Sequence, residues 1–256
     1  MKLNSSTNIL ITGASKGIGE GLSRRLASIG GNVILVSRNV IRLKKICEQI
    51  NKMGFNARYY ECDITDFSNI KKIIGELDRL DILINNASSN IIKPFINYNE
   101  DEFDYLLNLN VKAYFMVTQY AVKKMLENKN IKSRGASVIN ISSIMGKVSP
   151  PIKTPRPQSI YTITKHAVEG LTKSLSVELA PLNIRVNSVC PTYVNTDLVK
   201  ETMEDPNYKK YFLDKIPLGR MADIKDVENA VIYLCSDMSS MVTGTSLMVD
   251  GGWTAQ

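Results

Sequence analysis

The sequence predicts an α/β fold: a single domain built on a doubly wound parallel sheet with helices on both faces. Three observations predict it. A short apolar run at residues 8–11 leads directly into Gly13, Gly17 and Gly19, and then into Leu22, Leu26, Ala27 and Ile29 at helical spacing. Strand candidates and amphipathic helix candidates then alternate along the chain with no linker between them. The length of 256 residues, 44% apolar and 22% charged, is enough for one large α/β core and too apolar for disorder.

Bulk properties narrow the function. A net charge of +7 favours anionic ligands such as phosphates. No zinc-finger spacing, RNA-binding aromatic pair or recognition-helix signature accompanies it, so the charge reads as a lysine-rich soluble surface and no nucleic acid is expected as a partner. Cys47, Cys62, Cys190 and Cys235 are scattered without a Cys-x-x-Cys pair, as expected of reduced thiols in a cytoplasmic protein. No signal peptide or membrane span is expected before the glycines. His166, the one histidine, cannot build a histidine-rich metal centre and reads as a surface or packing residue.

The first element is strand, tight glycine turn and helix. That geometry aims backbone N–H groups and the positive end of a helix at a phosphate, and glycines admit a pyrophosphate where a Cβ would obstruct it. The spacing is Gly-x-x-x-Gly-x-Gly, so the general dinucleotide fingerprint is only partly matched. By itself the loop reads equally as a glycine-rich turn that opens a helix. Residues 32–37 form the second strand candidate, and Ser37-Arg38 follows where an NAD site usually places a carboxylate for the ribose 2′-OH. Arg38 instead offers a planar fork of donors to a 2′-phosphate, and Lys16 in the loop adds a second positive charge. NADP(H) is the expected cofactor. A helix over 40–53 and a strand over 56–62 come next. Asp63 and Ile64 either meet an adenine, by amino-group acceptance and ring packing, or belong to the N-cap region of the next helix. That helix is expected over 70–80 and a fourth strand over 80–87. Gly13, Arg38, Asp63 and Asn86 then all stand at carboxyl ends of strands, the edge where such sheets bind ligands.

The residues 12–19, Thr-Gly-Ala-Ser-Lys-Gly-Ile-Gly, together with Asn85-Asn-Ala87, resemble the short-chain dehydrogenase/reductase family. The resemblance implies a Rossmann-type sheet of about seven strands and a cofactor held by Gly13, Ser15, Lys16, Gly17, Ile18, Gly19, Ser37, Arg38, Asp63, Ile64, Asn86 and Ala87. It implies that residues 1–90 form mainly the cofactor-binding half and 91–256 the catalytic half. Asn110, in a helix expected over 102–126, resembles the family asparagine that holds a proton-relay water. Taken alone it would be a surface residue. Ser88 stands where the family usually has Gly.

A fifth strand over 137–143 ends in Ser142-Ser143, and Tyr161 opens the next helix with Lys165 four residues on. Tyr and Lys at that spacing share a helix face. A nearby ammonium favours the phenolate and lowers the tyrosine pKa from about 10. Tyr161 is therefore the expected general acid in reduction and base in oxidation. Lys165 is expected to lower its pKa and, with Tyr161, to meet the nicotinamide ribose; Ser143 is expected to hold the substrate oxygen and Asn110 to complete the proton path. The resemblance runs on through 166–181 and a sixth strand at 184–191, and adds Pro191, Val194 and Thr196 as cofactor contacts. No metal is expected.

Thr192 replaces a usual Gly, and Ile163-Thr164 replace a usual small pair. Ser143 and Tyr161 lie 18 positions apart, longer than the common family interval. The added length is the proline-rich stretch 146–159, expected to be stiff and to border the substrate pocket. Residues 192–219 resemble the family's substrate cap, either a mobile lid or an ordinary surface helix pair. A helix at 223–234 and a strand at 244–250 complete the pattern. Trp253 is expected to anchor a subunit interface, since such endings meet in tetramers of the family.

The function expected is that of an NADP(H)-dependent ketone/secondary-alcohol oxidoreductase, homotetrameric, of carbonyl-reductase type. A 3-oxoacyl thioester on acyl-carrier protein and a sugar or gluconate-type ketone are alternatives. Lys123, Lys124, Lys129, Lys132, Arg134 and Lys173 offer a basic patch to an acidic carrier, although solubility accounts for them slightly better. A non-catalytic dinucleotide sensor or scaffold is expected to lose Ser143, Tyr161 or Lys165, and all three are present.

Overall fold

The computed structural model describes residues 6–151, 154, 156–196 and 205–256. Its centre is a parallel sheet in the order β3-β2-β1-β4-β5-β6-β7. The strands are β1 (Asn8–Thr12), β2 (Asn32–Ser37), β3 (Ala57–Glu61), β4 (Ile82–Asn85), β5 (Ala136–Ile141), β6 (Ile184–Pro191) and β7 (Ser246–Val249). The order reverses between β1 and β4, where Ile9 pairs both Val33 and Ile82. A crevice opens at such a reversal beyond the carboxyl ends of the strands.

The central strands are apolar on successive residues because both faces are covered. Ile9 and Ile11 of β1 enter one core with helices α1 (Gly17–Ser28) and α2 (Val40–Lys52). Leu10 points the other way, into a second core with α3 (Phe67–Gly75). The chain continues through α4 (Glu100–Leu107), α5 (Ala113–Leu126), a short α6 (Ile131–Arg134), α7 (Ser159–Leu179), α8 (Pro206–Leu213) and α9 (Ile224–Cys235). The faces are divided cleanly: α9 joins the first core, and α5 with the end of α7 joins the second.

Several boundaries differ from expectation. Helix α1 starts at Gly17, five residues before Leu22, because its first turn is glycine-rich and carries little apolar pattern. Helix α3 stops at Gly75, and Leu77 and Leu80 are buried in the descent to β4 instead. The helix expected over 102–126 is not continuous: a π-helical turn, Asn108–Lys112, separates α4 from α5. Such turns are concentrated at functional sites, and this one contains Asn110.

All four cysteines are unbonded and buried. His166 is exposed on α7, its Nδ1 at 2.9 Å from the Thr162 carbonyl oxygen. Trp253 is not an exposed anchor: it is buried within its own chain, its ring 5.9 Å from that of Tyr193, which in turn lies 4.2 Å from Phe212. Of the expected cap, α8 carries the buried Phe212, whereas Lys200, Glu201 and Met203 lie outside the described residues. Among the described residues no helix is long and apolar enough to cross a membrane.

Candidate active site

The glycine loop closes against the end of β4. Gly13 has φ +65°, and a Cβ there would stand 2.7 Å from the Ala87 Cα. A Cβ at Gly19 would collide with the Gly13 carbonyl oxygen. Asn86 fixes this fit, its Nδ2 donating to the Thr12 and Gly13 carbonyls at 2.9 and 3.2 Å. The Thr12 hydroxyl oxygen accepts from the backbone N–H of Asn86 and of Ala87. Gly17, at φ +55°, faces the Thr196 methyl, 3.6 Å from where its Cβ would be, so Thr196 does reach the loop.

These residues fit a dinucleotide phosphate. Lys16 at the α1 N-cap position makes no side-chain cap, which leaves first-turn N–H groups and the helix dipole for an anion. The Ser15 and Ser37 hydroxyls lie 2.8 Å apart and join the loop to the end of β2. Arg38 follows, largely exposed, with Nη1 3.5 Å from the Asp63 carboxylate. Asp63 also accepts from the Thr65 backbone N–H and hydroxyl at 3.0 and 2.7 Å. Burial works upward on its carboxyl, but the Thr65 and Arg38 contacts hold it below the usual carboxylate range. It is not the cap of α3, a role taken by Asp66, which accepts from the Asn69 N–H at 3.0 Å. Ile64 is buried and Ile18 packs on the first core. Pro191 ends β6, and Val194 bridges to Ala222.

The catalytic candidates converge at the ends of β5 and α7. Ser143 caps a 3-10 turn, Ile144–Gly146, its Oγ accepting from the Met145 N–H at 3.1 Å. The Ser143 side chain stands close enough to the Tyr161 phenol to act on its acidity. Lys165 is buried one turn beyond Tyr161; its Nζ donates to the Ile141 carbonyl at 2.9 Å and lies 5.4 Å from the Tyr161 ring centre. Tyr114 donates to the same carbonyl at 3.2 Å.

The electrostatics correct one expectation. The Tyr161 phenol is not lowered. Burial pushes it up to about 12, with the Ser143 side chain acting in the opposite direction. Lys165 is itself pulled down, from 10.5 to about 8, chiefly by burial. Desolvation dominates at both groups because burial disfavours the phenolate and the ammonium alike. Holding this ammonium costs the fold about 3 kcal/mol at pH 7. Lys165→Met is therefore expected to inactivate the protein while raising its stability at pH 7 by about 3 kcal/mol. The native pKa lies below the unfolded one, so the gain is complete below about 8 and disappears as pH rises through 10.5. Denaturant melts of both proteins at pH 7 and pH 10.5 check it; a variant less stable at pH 7 would refute it.

Asn110 is buried in the π turn. Its Oδ1 accepts from the Ser89 N–H and the Ser88 hydroxyl at 3.0 and 3.1 Å. Its Nδ2 donates to the Ser89 carbonyl and the Thr164 hydroxyl at 2.9 and 3.2 Å. Ser88 and Thr164, two departures from the family pattern, thus meet on one asparagine. The proline-rich loop is fastened beside it: the Lys93 N–H donates to the Pro157 carbonyl at 3.1 Å, and Asn90 Nδ2 to Gln158 Oε1 at 2.6 Å. Neither Tyr114 nor the Asn90–Gln158 pair was evident from spacing. Tyr114 carries no spacing signal to the serine strand, and the amide pair joins residues 68 apart. Among the described residues no cluster of three or more His, Cys, Asp or Glu could hold a metal. A groove lined by Asn8, Asn32, Phe55 and Asp78 lies at the amino ends of the strands, the wrong edge for this chemistry.

A family model described as enoyl-(acyl carrier protein) reductase matches residues 13–254. The chain is 36% identical over 248 residues to the 3-oxoacyl-(acyl-carrier-protein) reductase of Aquifex aeolicus, covering 95% of each. It belongs to the short-chain dehydrogenase/reductase family. Within that family it is also 33% identical to human L-xylulose reductase over 252 residues, 96% of each chain. Among solved structures, a putative 2-deoxy-D-gluconate 3-dehydrogenase from Agrobacterium tumefaciens with bound NADP superposes with a TM-score of 0.88 at 31% identity, covering 100% of this chain and 99% of the other. A gluconate 5-dehydrogenase from Burkholderia cenocepacia in complex with NADP and tartrate gives 0.91 at 27%, covering 100% and 98%. Family membership makes the chain an oxidoreductase of this class with a seven-stranded parallel sheet.

Proposed function

We propose that the protein interconverts a ketone and a secondary alcohol with NADP(H). The observation that carries this is the meeting of Ser143, Tyr161 and Lys165 at the edge of the sheet that also holds the glycine loop and Arg38. The bound dinucleotide supplies the hydride chemistry. Tyr161 donates a proton to the carbonyl oxygen in reduction and accepts one in oxidation. The Ser143 hydroxyl steadies that oxygen as charge develops on it. Lys165 stabilises the phenolate, and Asn110 orders the Ser88–Ser89 turn alongside. The NADP-bound solved relatives support the cofactor choice.

The test is oxidation of NADPH and of NADH against acetoacetyl thioesters, gluconates, ketoses and cyclic ketones. Turnover with at least one ketone and a preference for NADPH is expected; no turnover with any ketone would reject the reaction. Arg38→Asp is expected to weaken NADPH binding about thirtyfold, the value of one or two charged hydrogen bonds to a phosphate, and NADH binding no more than about threefold. Fluorescence titration reads both, and an unchanged ratio would remove Arg38 from cofactor selection.

The proposal includes a cytoplasmic homotetramer. Its support is the set of large apolar side chains that α5 and α7 leave exposed, Phe115, Ile163 and Val177. Light scattering at micromolar concentration checks the assembly. The acyl-carrier alternative is carried by the thioester arm of the panel. Of its basic patch, Lys124 is paired with Glu127 and Arg134 with Ser6.

A further inference from the structure

An ion pair between a buried carboxylate and a part-exposed lysine lies on the far side of the catalytic residues, and the reaction described above does not use it. Glu169 stands on α7 one turn beyond Lys165 and two beyond Tyr161, and is 4% exposed. Its Oε2 accepts from Lys147 Nζ at 2.9 Å and from the Ser246 hydroxyl. Its Oε1 accepts from the Cys190 thiol at 3.5 Å. Lys147 is the residue directly after the 3-10 turn that Ser143 caps. Gly146 between them has no room for a side chain: a Cβ would come within 2.9 Å of both the Lys165 carbonyl oxygen and the Glu169 Cγ. The serine turn is therefore pressed directly against α7. Lys165 and Ile141 close one end of that seam, and Lys147 and Glu169 close the other.

We infer that Glu169 is a positioning residue for the reaction: through Lys147 it sets Ser143 against Tyr161, and as a buried carboxylate one turn from Lys165 it keeps that side chain an ammonium. The inference rests on the ketone-reducing reading. Two physical points support it. An ion pair with one partner buried and the other part-exposed adds little net stability to a fold, which points to a positioning use for this one. The groups that face Lys165 are Tyr161 and Glu169 on its own helix, Tyr114 on α5 and Cys190 on β6. Tyr161 and Cys190 are both pushed up to about 12, and Tyr114 is also raised by burial. Glu169, held below its ordinary value by its hydrogen bonds against the upward pull of burial, is the anion among these four at neutral pH.

The experiment compares wild type with Glu169→Gln, Lys147→Met and Lys147→Arg. Lysine ε-carbon NMR titrates Lys165, its resonance assigned by loss in Lys165→Met, and kcat, KM and NADPH binding are followed against pH. In Glu169→Gln the Lys165 pKa is expected to fall by about one unit, with the alkaline limb of kcat moving down alongside it. Both Glu169→Gln and Lys147→Met are expected to lower kcat about tenfold with KM and NADPH affinity within about threefold, and Lys147→Arg to restore kcat. An unmoved Lys165 titration in a folded Glu169→Gln overturns the charge role. Wild-type kcat in Lys147→Met overturns the seam role, and it decides alone if Glu169→Gln does not fold. If wild type reduces no ketone, the proposed reaction has failed, while the NMR titration still decides whether Glu169 governs Lys165.

Discussion

Tyr161→Phe is expected to cut kcat/KM for ketone reduction by a factor of about 10² to 10⁴, the usual worth of a positioned general acid, and to leave NADPH binding within about twofold. The ring keeps its place because it packs against the buried cluster that includes Ile144 and Met145. What is lost is the hydroxyl, on whose acidity Ser143 acts. The size of the effect follows from the burial that raises this phenol to about 12. A group that holds its proton this firmly is a poor acid until a negative oxygen forms beside it, so its contribution is concentrated in the transition state. Steady-state kinetics with the best ketone of the panel, beside a cofactor titration, reads both quantities. Turnover within tenfold of wild type would take the proton transfer away from Tyr161.

Gly19→Val is expected to lose about 3 kcal/mol of stability and with it detectable cofactor binding. A side chain at 19 would be driven into the Gly13 carbonyl, which is backbone and cannot swing aside. Either α1 lifts from the sheet, uncovering the core around Leu22 and Leu26, or the loop opens and its N–H groups lose their aim. For a chain of this size the melting temperature should fall by about 6 to 12 °C. Gly75→Ala is the matched control. No atom lies within 4 Å of a Cβ at 75, so its melting temperature should hold or rise slightly. Calorimetry of the two variants decides: equal melting temperatures would show that the close approach at Gly19 carries no constraint.

What the sequence made legible was periodicity and short-range spacing. Strand β6 was readable because both of its faces are covered, so it reads as an apolar-rich run, Ile184 to Pro191, with every residue but Arg185 buried. Tyr161 and Lys165 were readable because four residues is one helical turn. The π turn at Asn108–Lys112 was not, since one extra residue in a turn hardly disturbs an apolar stripe twenty residues long. Nor was the sense of the Tyr161 and Lys165 pKa values. Spacing shows that the two groups are near, but the balance was tipped by burial, which the rest of the fold supplies. Ser88 and Thr164 looked like two unrelated departures until the fold brought both to Asn110. Trp253 looked like a contact for another subunit because its own neighbours, Tyr193 and Phe212, are distant in sequence.

The reversal between β1 and β4 has a consequence for how the chain is made. The two strands at the middle of the finished sheet are 73 residues apart in sequence, as the bond from the Asn8 N–H to Asp81 shows. During synthesis β1, β2 and β3 emerge first and can pair at once, but β1 then stands as an edge. From the end of β3 to the end of β4, 24 residues, it waits about 1 to 5 seconds at ordinary elongation rates. Throughout that interval the backbone of Ile9, Leu10 and Ile11 is open on one side, a flat apolar edge of the kind that recruits other strands. The crevice that makes room for a dinucleotide in the folded protein is, in the growing chain, the place most exposed to mispairing, and a holdase that binds extended apolar segments would act there.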